Sequence, residues 1–79
     1  MSPTVFRDHG FRFHFFSPEE SRMRVHASCG DGEAKFWLEP DIELSKNAGL
    51  SRSQLKHIES IIEVRHDELR RAWEEHFSG

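Results

Sequence analysis

Phe11, Phe13 and Phe15 alternate with Arg12, His14 and Phe16, and this run constrains the fold more than any other stretch of the chain. A period of two belongs to a strand with one buried face, because successive side chains leave a pleated backbone on opposite sides. Three aromatic rings on one side bury a large apolar area and demand a cover. The pattern recurs. Met23, Val25, Ala27 and Cys29 share one face, and Arg24, His26 and Ser28 the other. Ala34, Phe36 and Leu38 point inward, and Lys35 and Trp37 outward. Thr4 to Asp8 reads as a strand before a tight turn at His9-Gly10. Gly30-Asp31-Gly32 is a hairpin signal, Pro40 ends the fourth strand, and Asp41 to Ser45 adds a short fifth.

After Gly49 the period changes from two to 3.6. Ser51 and Gln54 have the spacing of a capping box, in which each side chain satisfies a backbone N–H at the other's end. Leu50 and Leu55 flank it as a hydrophobic staple. Leu55, Ile58, Ile62, Leu69, Trp73 and Phe77 then follow one helical stripe. Asp67–Arg71, Arg70–Glu74 and Arg71–Glu75 are opposite-charge pairs four residues apart. With neither Gly nor Pro between Ser51 and Ser78, the spacing predicts one helix over about 51–77. The expected fold is α+β: a four- or five-stranded antiparallel meander over about 4–45, with one long amphipathic helix packed on its Phe-rich face. Residues 1–79 form a single domain. Its expected core is Phe11, Phe13, Phe15, Val25, Phe36, Ile58, Ile62 and Leu69.

Size decides how much else the chain must recruit. At 79 residues, a domain buries only about 60% of its unfolded surface, so it needs an efficient core, which its aromatic residues supply, a partner, or both. A helix of this length spans on the order of 40 Å, whereas a seven-residue strand spans roughly 23 Å. The helix end should overhang the sheet unless the helix breaks near Arg65-His66 and folds back; with neither Gly nor Pro to break it, Leu69, Trp73 and Phe77 are instead expected at an interface, in a homodimer or a hetero-oligomer. Charged residues make up 32% of the chain, which leaves no apolar run long enough for a membrane span. One cysteine, Cys29, cannot pair within the chain, so a cytoplasmic location is expected. The net charge of −3 lies wholly in residues 37–79, with six basic and nine acidic side chains against five and five in residues 1–36. The first half is thus free to carry a local basic patch.

Opposite the Phe ladder the strands present Arg12, His14, Phe16, Arg24, His26, Lys35 and Trp37. Rings on which bases stack, with cations for phosphates, are what a single-stranded nucleic-acid platform requires. The same set suits RNA cleavage without a metal. His26 would be the general acid or base, and Arg24, Arg12 and Lys35 would stabilise the developing charge. His14, Phe16 and Trp37, with Arg12, would hold the RNA. The plainer reading is a solvated outer face. Neither a cofactor nor a metal is expected, because no Cys or carboxylate clearly joins His14 and His26.

The block Gly32-Glu33-Ala34-Lys35-Phe36-Trp37-Leu38-Glu39-Pro40, the opening Pro3-Thr4-Val5-Phe6-Arg7, Gly10-Phe11-Arg12-Phe13, and the closing Glu68-Leu69 and Ala72-Trp73 resemble domain-of-unknown-function family 4160 of bacteria. The resemblance implies a place in a two-gene module beside a partner of domain-of-unknown-function family 2442. It further implies a toxin–antitoxin pair with this chain as the toxin, acting on RNA or translation. The alternative is a non-catalytic protein that works only through its partner. The family pattern has His-Val-His in the third strand, where this chain has Arg24-Val25-His26.

Overall fold

The computed structural model describes residues 4–15 and 22–77. Among them are five strands and two helices: β1 (Thr4–Asp8), β2 (Phe11–His14), β3 (Arg24–Cys29), β4 (Gly32–Trp37), β5 (Glu43–Ala48), α1 (Arg52–Val64) and α2 (His66–Phe77). The strands form one antiparallel sheet in the order β1-β2-β3-β4-β5. The fifth strand lies later than the expected Asp41–Ser45.

Local chemistry explains the connections. His9 and Gly10 both take positive φ, 50° and 84°, as a tight hairpin with right-twisting strands requires. At the far hairpin Gly32 lies against the end of β5. A Cβ there would meet the Ala48 carbonyl oxygen at 2.1 Å, so only glycine fits without moving the backbone. Two irregularities re-aim side chains. Thr4 pairs with His14 and Phe6 with Phe13, leaving Val5 as an extra residue; Lys35 pairs with Lys46 and Phe36 with Leu44, leaving Ser45 extra. The first bulge sends Phe6 inward, where its ring stacks on Phe13 at 4.7 Å.

All eight expected core residues are buried, joined by Met23, Ala27, Ala34, Leu38, Leu50, Ile61 and Trp73. Phe11 meets His57 of α1 and Phe15 meets Trp73 of α2, both edge-on. The helix start forms with the expected capping box. Ser51 Oγ accepts from the Gln54 amide at 3.1 Å, and Gln54 Oε1 accepts from the Ser51 amide at 2.8 Å. The Gln54 side-chain amide also donates to Asp31 Oδ2 at 2.9 Å, which ties the helix start to the β3–β4 hairpin.

One expectation fails. The helix is not continuous: it breaks at Arg65, which caps α1 with φ −104° and ψ 23°. The break is held from outside the helix. Arg65 pairs with Asp8 at 3.2 Å and lies over the Phe6 ring at 4.3 Å, while His66 Nε2 is 2.8 Å from the Leu38 carbonyl oxygen. The Arg65 and Leu69 amides keep their bonds to Ile61 and Arg65, so little helical bonding is lost. A backbone hydrogen bond is worth about 1 kcal/mol net, whereas burying a large apolar side chain is worth roughly 1.5–3 kcal/mol. Burial wins. Leu69 becomes fully buried and Trp73 falls to 9% exposure against this chain's own sheet. The apolar stripe is therefore not left bare at these two positions, and the interface expected of Leu69, Trp73 and Phe77 loses its premise. The Phe77 side chain lies outside the described residues.

Candidate functional site

The antiparallel register sets which polar residues can meet. Thr4, His14, His26, Lys35 and Lys46 lie directly opposite one another across all five strands, on the face away from Phe13 and Val25. Arg12, Ser28 and Glu33 form the next row, and Arg24, Trp37 and Glu43 the row on the other side. At the centre, the His14 and His26 rings stack at 5.4 Å and 24°. His14 Nε2 is 3.6 Å from Glu33 Oε2. One ligand atom from each of His14, His26 and Glu33 lies within 4.8 Å of the other two. His26, Glu33, Lys35 and Lys46 also line a hollow of about 250 Å³ between β3, β4 and the end of β5.

Although it belongs to the outer face, His14 is only 3% exposed. Among the described residues its Nδ1 is buried without a hydrogen-bond partner. Burial is the main cause that lowers its pKa below 6.5; the Arg12 charge adds to this and Glu33 partly opposes it. His26 is pushed down to about 4, again chiefly by burial, with Glu33 opposing and His14, Arg24 and Lys35 adding. Both imidazoles are neutral at pH 7 and carry a lone pair.

The expected site residues fare differently. His14, His26, Lys35 and Arg12 are brought together by register. Arg12 donates through Nε to Thr4 Oγ1 at 2.6 Å, which anchors its head beside His14. Arg24 shares the His26 face by position, but its guanidinium lies 5.6 Å from the Trp73 ring centroid and bonds the Arg22 carbonyl at 3.3 Å. It is 5% exposed, and serves the packing of α2 as much as the outer face. Trp37 carries Arg22 at 4.2 Å and Lys35 at 5.0 Å over its ring. It orients both cations on the outer face. Phe16 lies outside the described residues.

Two members of the site escape the reading of single strands. Glu33 supplies beside the histidines the carboxylate that no single strand reveals. A two-residue turn at Gly30-Asp31 places Ser28 opposite Glu33 and His26 opposite Lys35, so hairpin register is the signal that finds it. Lys46 has no such signal, because the bulge at Ser45 decides its pairing.

Residues 10–74 match the family described as "Domain of unknown function (DUF4160)". The chain belongs to this family. No curated protein and no solved structure matches it. Among the described residues, no helix is long and apolar enough to cross a membrane.

Proposed function

We propose that this family member is the toxin-like component of a bacterial two-protein module, and that it acts by holding RNA across the outer face of β2–β5. The observation that carries the RNA reading is the opposition of Lys35 and Lys46 at the rim of a hollow. Like charges directly opposite on neighbouring strands are destabilising by up to about 1 kcal/mol. A bound phosphate removes that repulsion. Arg12 adds a cation in the adjacent row, and Trp37 sets Lys35 beside an aromatic surface, the combination that single-stranded nucleic acid needs. The module reading rests on family membership and on the resemblance to chains that sit beside a family 2442 partner.

Binding is better supported than cleavage. A histidine with a pKa of about 4 is unprotonated at pH 7 and cannot serve as the general acid of a metal-free ribonuclease. A second reading, action through a protein partner alone, is favoured by β5. It ends the sheet and all six of its residues are exposed, and a peptide strand adds to such an edge.

Titration of single-stranded RNA against wild type and a Lys35→Glu, Lys46→Glu double variant tests the proposal. The variant should bind at least tenfold more weakly. Its slope of log K against log salt should flatten by about 1.4, at roughly 0.7 for each phosphate that is no longer neutralised. Equal affinity, or no RNA binding by the wild type, removes the RNA reading. Conditional expression with and without the neighbouring gene tests the module. Arrest relieved by the neighbour supports it, and unaffected growth counts against it.

A further inference from the structure

We propose that His14, His26 and Glu33 form a three-ligand site for one zinc ion at the edge of the β3–β5 hollow. The donors come from three consecutive strands. His14 and His26 are direct cross-strand partners, and Glu33 lies on β4 two residues before Lys35, the partner of His26, and so on the same face. Two imidazole nitrogens and one carboxylate match the catalytic class of zinc site, in which a fourth position stays open. Imidazole donors favour zinc over magnesium or calcium, which take oxygen.

The distances fit with modest closure. Ligand atoms around a tetrahedral zinc, with bonds of about 2.0–2.1 Å, lie about 3.4 Å apart. The 3.6 Å edge from His14 to Glu33 already meets this, and no edge exceeds 4.8 Å. Glu33 can adjust the edges it makes, because its side chain is 51% exposed and can rotate, whereas that of His14 is 4% exposed and fixed, so contraction between the two histidines falls to His26.

The neighbouring cations Arg12 and Lys35 oppose a dication, and Glu33 offsets one charge. A phosphate oxygen in the open position would offset one more. His26 and Glu33 line the hollow together with Lys35 and Lys46, so an anion held there borders the ion. That last step rests on the RNA proposal; the zinc site does not.

The test uses zinc alone, so the failure of one proposal is separate from that of the other. Chelator-treated full-length chain is titrated with zinc by calorimetry, and the histidine ring resonances are followed by NMR. The nearest rival is the His9–His57 pair, whose rings lie 4.7 Å apart. One zinc per chain should bind and shift the His14 and His26 resonances. Glu33→Gln and His26→Gln should each weaken binding at least about tenfold, since even outer-shell partners of a metal contribute 10–100-fold. A His57→Ala variant should bind as the wild type does. Absence of saturable binding overturns the proposal. So does undiminished affinity in folded Glu33→Gln, or shifts confined to His9 and His57.

Discussion

The two faces of this sheet obey different rules. The inner face is built from Phe11, Phe13, Val25, Ala27, Ala34 and Phe36, every one below 7% exposure. Each residue there has one requirement, removal from water, and any neighbour of suitable shape meets it. The outer face carries Arg12, His14, His26, Glu33 and Lys35. Its members depend on which partner lies opposite, and two histidines, a carboxylate and opposed lysines come together only because four strands, β2 to β5, hold one register. The inner face therefore supplies stability and tolerates little loss of volume. The outer face supplies chemistry and tolerates substitution unless a partner is left buried.

The sharpest test of that contrast pairs Phe13→Ala with Lys35→Ala. Phe13 is fully buried and stacks on Phe6, so its truncation should cost roughly 3–5 kcal/mol, enough to unfold a domain this small. Lys35→Ala should stay within about 0.5 kcal/mol. Similar melting temperatures for the two would erase the distinction.

Trp73→Ala comes next. It removes the edge-on packing with Phe15 and the ring beneath Arg24, and should cost about 3 kcal/mol with no change in solution mass. A mass change at unaltered stability would return Trp73 to an interface role. Gly32→Ala should cost about 1–3 kcal/mol, because the new methyl must displace the Ala48 carbonyl. A neutral result would mean that the hairpin and β5 are not closely packed.

A further test is in pH, measured on metal-free protein. His14 and His26 bind protons less readily in the folded chain than at the ordinary pKa of 6.5. As pH falls below about 6.5 the unfolded chain takes up protons first, so stability, fully present above that pH, declines toward pH 4. Carboxylates add to the decline below about 5, so the slope between 6.5 and 5 is the diagnostic part. His26→Gln should flatten that slope. An unchanged slope in the variant would detach the outer face from the pH response.

The period-two runs around Phe13, Val25 and Phe36 determined the central strands and the core, and the Ser51–Gln54 box determined where the helical part begins. These are local properties, written into neighbouring residues by the alternation of a pleated strand and the first turn of a helix. Tertiary structure decided the rest. The helix breaks at Arg65 without Gly or Pro because Asp8, Phe6 and the Leu38 carbonyl hold the break, and burial of Leu69 and Trp73 outweighs it. Arg24 is drawn toward Trp73 across a helix that its strand neighbours do not encode. Glu33 and Lys46 reach the histidines through pairing between strands, in one case through a bulge. Local pattern specifies which way a side chain points. What it meets there depends on residues distant in sequence, and their register is set only when the whole sheet forms.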